Sequence, residues 1–197
     1  MLNYRANGKL LLTSEYAITQ GAKGLALPAR FGQKIHYLPN LEGNSISWYS
    51  LDHDAQEWFW AEISLSLEVL STSNEKVAKR LLKNLQIVKS HSSLLDKPGS
   101  FKTELEFPAE WGLGTSSTFT SLLAQCAQVD PLETFKNAHG GSGYDLACAK
   151  ADGPITYQLI DNKVKVLNTS IPFDFLDELG FVYRGKKQLT SESLNLV

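Results

Sequence analysis

The sequence has few cysteines, almost no net charge and no long apolar run. Its 197 residues include only two cysteines, Cys126 and Cys148, which excludes a disulfide framework or a cysteine-rich zinc site and fits a reducing compartment. Lysine and arginine number 19 against 21 acidic residues, a net charge of −2, which argues against nucleic-acid or membrane-surface binding. No segment approaches the roughly 20 apolar residues of a membrane-spanning helix. We therefore expect a cytoplasmic protein without a nucleic-acid or membrane partner.

The apolar pattern switches several times between strand-like alternation and helical spacing. Residues 44–65 alternate on both sides of Asp52–Asp54, which predicts a hairpin with a polar tip. Apolar residues recur at helical spacing from residue 74 to 90, which predicts a helix. Further expected elements are strands at 9–12, 24–28, 32–39, 100–108 and 180–185, a hairpin at 155–168, and helices after Gly114 and from Pro131. Runs of strands with helices between them favour an α+β fold, with a mixed sheet and helices on one side.

A glycine-rich stretch, EFPAEWGLGTSSTFTSLLAQ at residues 106–125, leads from a strand into a helix. Gly112 and Gly114 would let the backbone approach a ligand closely, and the first N–H groups of the helix lack intrahelical partners. With the helix dipole, such amides can bind an anion, and nearby hydroxyls can bind phosphate oxygens or Mg²⁺. The alternative is a plain strand–turn–helix with a Ser/Thr cap. These residues alone do not separate the two interpretations.

Two other segments carry candidate chemistry. In HGGSGYDLACAKADGP, residues 139–154, glycines precede a single acid, Asp145, which could act as a general base or orient a metal or a lysine. The alternative is a turn in which Asp145 caps a helix. In RANGKLLLTSEY, Lys9 could neutralise phosphate charge or lower the pKa of a substrate hydroxyl. The alternative there is an ordinary surface lysine.

Taken in their order along the chain, the three segments resemble the motifs of the GHMP small-molecule kinases. This family includes galactokinase, homoserine kinase, mevalonate kinase and phosphomevalonate kinase. The first motif of that family resembles residues 6–28, with Lys9, Glu15 and the glycines in register. The second motif is a proline, three residues and Gly-Leu-Gly-Ser-Ser. It resembles Pro108 followed by AEW and GLGTSS, where Thr115 replaces the first serine. GGSGYDLACA is similar to the acid-bearing segment, and its GSGYD form is nearest the phosphomevalonate kinase branch.

The resemblance implies an ATP-dependent kinase for a small hydroxylated or phosphorylated metabolite that is mevalonate-, phosphomevalonate- or sugar-like. It implies Lys9 near the phosphoryl acceptor, Asp145 as a base or as the partner of Lys9, and Glu15 in support. It also implies that Mg²⁺ is bound by Ser116 and by a glutamate, for which Glu133 is the nearest candidate. The phosphates of ATP would lie over Gly112, Leu113, Gly114, Thr115, Ser116 and Ser117.

The sequence departs from the family near its C-terminus. The family has a third glycine-rich motif on a second domain, and the sequence ends at Val197 without it. We therefore expect an N-terminal nucleotide-binding domain at 1–168 and the beginning of a second domain at 169–197. The exposed edge of an incomplete sheet would permit a homo-oligomer. The alternative function is a catalytically inactive nucleotide-binding or assembly module.

Overall fold

The computed structural model describes residues 1–40, 42–139, 141–161, 163–183 and 185. Within them, eight strands form one sheet in the order β5-β4-β3-β6-β2-β7-β8, and β1 pairs with β2. All paired strands are antiparallel except β3 and β6, which are parallel. The α+β fold with a mixed sheet is therefore confirmed. The strands are β1 (Leu2–Leu11), β2 (Gly24–Pro39), β3 (Ser45–Leu51), β4 (Glu57–Ser64), β5 (Val69–Thr72), β6 (Gly99–Leu105), β7 (Ile155–Ile160) and β8 (Lys163–Asn168).

The α-helices are α1 (Glu75–His91), α2 (Thr115–Ala127), α3 (Pro131–His139), α4 (Tyr144–Ala149) and α5 (Phe173–Asp177). The predicted helix at 74–90 is confirmed as α1, which begins where the Asn74 side chain accepts hydrogen bonds from the N–H groups of Lys76 and Val77. The helices expected after Gly114 and from Pro131 are confirmed as α2 and α3. None of the helices in the described ranges is long and apolar enough to span a bilayer.

One face of the sheet is buried and the other is open. On β3, Trp48 is buried while Tyr49 is exposed, and on β4 the same alternation separates Phe59 from Trp60. The buried face packs with α1 and α2 in one hydrophobic core. This core fixes the position of α2, the helix that follows the glycine-rich stretch.

Strand β2 corrects the sequence prediction. Separate strands were expected at 24–28 and 32–39, but β2 is one strand of 16 residues. Its first part pairs with β7 through residues 24–26 and its second part with β6 through residues 33–39. Pro28 lies opposite Lys9 of β1 but falls between the regions that pair with β7 and β6, so its missing N–H removes no hydrogen bond to β6 or β7. A proline inside the strand is therefore tolerated.

The other strand predictions have mixed outcomes. The hairpins at 44–65 and 155–168 and the strand at 100–108 are confirmed as β3–β4, β7–β8 and β6, although Asn162 lies outside the described residues. The strand expected at 180–185 is wrong for residues 180–183, which have no strand conformation. Arg184 lies outside the described residues. Strand β5 was not expected from the sequence.

Glu106 joins three strands where β6 leads into the glycine-rich stretch. Its carboxylate accepts hydrogen bonds from Arg5 (Nη2–Oε2 2.7 Å) and from the Gly32 N–H (2.9 Å), and it pairs with Lys34 (Nζ–Oε1 3.2 Å). The Arg5 hydrogen bond, with those from Lys34 and Gly32, outweighs partial burial and lowers the pKa of Glu106 from 4.5 to about 2. The carboxylate therefore stays ionised well below neutral pH.

A depressed pKa predicts a pH-dependent stability. The contribution of Glu106 is present above its unfolded-state pKa and is lost as the pH falls from 4.5 through the folded-state value of about 2. We expect Glu106→Gln to be less stable than the wild type near neutral pH, and the difference to shrink across this window. Urea unfolding free energies at stepped pH measure it, with the exposed Glu68→Gln as control. A difference that does not change with pH would contradict the assignment.

Candidate active site

A cavity of about 990 Å³ lies where β1, the start of α2 and the start of α4 meet. Its lining includes Lys9 from β1, Glu15 from the following turn, the Gly112–Ser117 stretch and Asp145 from α4. These segments are far apart in the sequence. The fold thus brings together the predicted site residues, with the exception of Glu133.

The beginning of α2 is open to this cavity. Gly114 occupies the N-cap position with φ 91°, in the left-handed region that favours glycine, and no side chain caps the helix there. The Ser117 hydroxyl donates to the Gly114 carbonyl (2.9 Å), whereas Ser116 is exposed. A Cβ at Gly114 would lie 2.6 Å from Ser117 Oγ and 3.0 Å from Lys9 Cγ. Glycine therefore lets the Lys9 stem and the Ser117 hydroxyl pack against the start of α2.

Gly8 brings β1 against the glycine-rich stretch, and the sequence analysis did not single it out. The β1–β2 register shifts between Asn7 and Lys9, which marks a bulge. A Cβ at Gly8 would lie 2.8 Å from the Phe31 carbonyl oxygen and 3.1 Å from that of Leu113. This close approach lets the Lys9 N–H donate to the Leu113 carbonyl (2.8 Å). The glycine directly before Lys9 was the available signal.

Lys9 is held as a cation. Its Nζ lies 5.3 Å from the centroid of the Tyr144 ring. Burial lowers the pKa of Lys9, but Tyr144, Asp145 and Glu15 together raise it above its usual value. Because a raised pKa keeps the ammonium protonated at neutral pH, Lys9 can neutralise an anion but cannot serve as a general base.

Asp145 lies in the first turn of α4, and its Oδ1 accepts a hydrogen bond from the Leu146 N–H (3.0 Å). The N-cap of α4 is Gly143, so Asp145 does not occupy the cap position that the alternative interpretation gave it. The residue is half-buried and lines the cavity. A carboxylate in this position can accept a proton from a bound hydroxyl.

Glu133 is not brought to the cavity. It is exposed in the first turn of α3, where its N–H donates to Asp130 Oδ1 (3.0 Å), and the cavity lining does not include it. Among the described residues, no group of three or more His, Cys, Asp and Glu side chains is arranged to hold a metal ion. Any metal in this cavity would therefore depend on other ligands.

Two aromatic residues also line the cavity and were missed by the sequence analysis. Phe31 and Trp111 are 44% and 45% exposed and contact each other edge to face, with ring centroids 6.0 Å apart. Trp111 directly precedes Gly112, and this position beside the glycines was the available signal. Exposed aromatic rings next to an anion-binding helix start can pack against a flat ligand group.

No protein-family model matches the sequence, and no curated protein matches it. Solved structures do match. Methanococcus jannaschii mevalonate kinase aligns at 14% identity and a TM-score of 0.60, covering 85% of this chain and 56% of that one. Streptococcus pneumoniae phosphomevalonate kinase in complex with phosphomevalonate and AMPPNP aligns at 18% and 0.59, covering 82% and 51%. Lactococcus lactis galactokinase complexed with galactose aligns at 14% and 0.60, covering 84% and 46%.

The chain spans about half the length of these kinases, with coverages of 56%, 51% and 46%. At such low identity the likeness establishes the fold rather than the activity. The chain has the fold of the N-terminal domain of GHMP-type kinases.

Proposed function

We propose that this protein binds Mg-ATP in the cavity and transfers the γ-phosphoryl group to a hydroxyl of a small metabolite. The observation that carries the proposal is that an uncapped helix start, a cation and a carboxylate line one cavity, at α2, Lys9 and Asp145. The matched kinases support it through their fold, and the phosphomevalonate kinase among them was solved with AMPPNP.

The phosphates would bind at the start of α2. The first amides of a helix have no acceptor within the helix and lie at the positive end of the helix dipole, so they favour an anion. Because Gly114 has no Cβ, the Lys9 stem can lie against the start of α2. The Lys9 ammonium adds a second positive group. These donors match the charge of a triphosphate.

The base of the nucleotide would lie beside Trp111. This ring is exposed, lines the cavity and directly precedes the glycine-rich stretch. Phe31 contacts it and supports its edge. Stacking on an aromatic ring is available to any base, so this contact supplies affinity rather than selectivity for adenine.

Asp145 would take the proton from the acceptor hydroxyl. The hydroxyl oxygen then forms a bond to the γ-phosphorus, the bond from that phosphorus to the β-phosphate oxygen breaks, and ADP leaves. The protonated Lys9 offsets the charge that develops on the transferred group, and Glu15 supports Lys9. Phosphoryl transfer needs positioning and charge neutralisation more than covalent participation, and these three side chains line the cavity together.

Mg²⁺ would be held by the phosphates of ATP and by the exposed Ser116 hydroxyl. Hydroxyl and phosphate oxygens are ligands of the kind that Mg²⁺ prefers. When bound, the ion neutralises charge on the β- and γ-phosphates. Glu133 is outside this set because it does not line the cavity.

By analogy with the matched kinases, the acceptor would be a mevalonate-, phosphomevalonate- or sugar-like metabolite. Residues 1–168 would form the nucleotide-binding domain, and residues 169–197 would begin a second domain. Phe181, Val182 and Tyr183 of the latter already line the cavity. Residues from that segment would therefore contribute to acceptor binding.

Thermal unfolding with and without Mg-ATP tests the proposal. A ligand at 100 times its Kd stabilises the folded state by about 2.7 kcal/mol, which for a chain of this size raises the Tm by about 5–10 °C. We expect this shift with millimolar Mg-ATP and a much smaller one with AMP, which lacks the β- and γ-phosphates. No shift with Mg-ATP, or equal shifts with both nucleotides, would contradict triphosphate binding.

A further inference from the structure

The side chain of Tyr144 lies between Lys9 and the core. Its ring faces the Lys9 ammonium at 5.3 Å. It packs against the buried cluster of Ala26, Cys148 and Ile155, and it contacts the Tyr157 ring edge to face with centroids 6.5 Å apart. Tyr157 is fully buried, and its hydroxyl donates to the Ser142 carbonyl. Tyr144 is therefore held by packing on the side away from Lys9.

We propose that Tyr144 is a positioning residue that holds the Lys9 ammonium at the phosphate-binding end of the cavity. The inference rests on the proposed function, because the position of Lys9 matters if a triphosphate binds there. Tyr144 directly precedes Asp145, the proposed base, and has a role of its own.

The physical need for such a residue comes from the length of the lysine side chain. Its four-carbon stem is flexible, and two carboxylates, Glu15 and Asp145, line the same cavity. Within the described part of the chain, no carboxylate lies within 4.0 Å of Lys9 Nζ. The Tyr144 ring gives the ammonium a neutral partner instead. Lys9 thereby keeps its charge available for a phosphate, and Asp145 keeps its carboxylate free.

A double-mutant cycle separates positioning from a general structural role. Tyr144→Leu removes the ring that faces the Lys9 ammonium and keeps an apolar side chain against the buried cluster. In the wild-type background we expect it to weaken Mg-ATP binding by about three- to tenfold, as the loss of one cation–π contact would. In a Lys9→Met background we expect no further weakening. Tyr49→Leu, which removes a ring from the open face of the sheet, should leave binding unchanged.

Equal weakening by Tyr144→Leu in both backgrounds would overturn the proposal, because Tyr144 would then act independently of Lys9. No weakening in the wild-type background would overturn it as well. Calorimetric titration of Mg-ATP measures all of these affinities, and circular dichroism checks that each variant is folded.

A titration of Lys9 itself distinguishes failure of this inference from failure of the proposed function. Tyr144, Asp145 and Glu15 are the titratable groups that influence Lys9, and Lys9 in turn influences the thiol of Cys148. With ¹³Cε-labelled lysine, and the Lys9 signal assigned by its loss in Lys9→Met, we expect a lower titration midpoint in Tyr144→Leu than in the wild type, because the ring that stabilises the ammonium is lost. If the wild type fails to bind Mg-ATP, the proposed function falls, and this midpoint alone decides the role of Tyr144. An unchanged midpoint overturns that role.

Discussion

Replacement of Gly114 by valine is expected to abolish measurable Mg-ATP binding. Gly114 has φ 91°, and its Cβ would lie 2.6 Å from Ser117 Oγ and 3.0 Å from Lys9 Cγ. The valine side chain would collide with Ser117 and Lys9, which would distort the start of α2 and displace the Lys9 stem. Loss of two hydrogen bonds to a charged ligand, at about 1.5–3 kcal/mol each, predicts a Kd at least about 100-fold weaker. Calorimetric titration measures this loss.

The control for Gly114 is Gly153→Val. A Cβ at Gly153 would meet no atom within 4 Å, and the residue does not line the cavity. This variant should bind Mg-ATP as the wild type does. Because valine is strained at positive φ, the folded fraction of Gly114→Val must be measured without nucleotide at the titration temperature. A folded Gly114→Val variant with near wild-type affinity would exclude this helix start as the phosphate site.

Asp145→Asn is expected to reduce turnover with little effect on nucleotide affinity. The amide has the size of the carboxylate but cannot take the proton of an acceptor hydroxyl. Loss of general-base catalysis predicts a fall in kcat of about 10²–10⁴-fold. ADP release with a panel of mevalonate-, phosphomevalonate- and sugar-like acceptors measures it, alongside the Kd for Mg-ATP.

The matched control for Asp145 is Asp152→Asn, which makes the same chemical change at an exposed residue outside the cavity. Full turnover in Asp145→Asn would exclude a base role and leave Asp145 as a partner of Lys9. Mg-ATP binding by the wild type without turnover on any acceptor would favour the inactive binding module over the kinase.

The local sequence could predict those elements of the fold that depend on interactions between residues close together in the chain. Apolar residues at helical spacing predicted α1, and the polar segment at Asp52–Asp54 between alternating runs predicted the β3–β4 hairpin. Strand β2 was predicted as two strands, at 24–28 and 32–39, and Pro28 is the last residue of the first. Its tolerance depends on which strands pair on either side, and those partners come from distant residues.

The residues of the candidate site can also be divided into those that the local sequence could predict and those that depend on distant parts of the chain. Motifs pointed to the cavity residues Lys9, Gly114 and Asp145 because each is conspicuous within its own segment. Tyr144 was overlooked because its role depends on facing Lys9 across the fold. Glu133 was chosen by its order along the chain, and the first turn of α3 lies away from the cavity. Neither the contact of Tyr144 with Lys9 nor the distance of Glu133 from the cavity can be predicted from sequence spacing.

The central claim is that the triphosphate binds at the start of α2. Backbone amide NMR shifts during Mg-ATP titration test it most directly, because they report on the individual N–H groups that would bind the phosphates. We expect the largest changes at Thr115, Ser116 and Ser117, with a change at the Lys9 amide that is bonded to Leu113. If the changes fall instead on the basic face of α1, at Lys76, Lys79, Arg80 and Lys83, the nucleotide binds by nonspecific charge attraction and the account is contradicted.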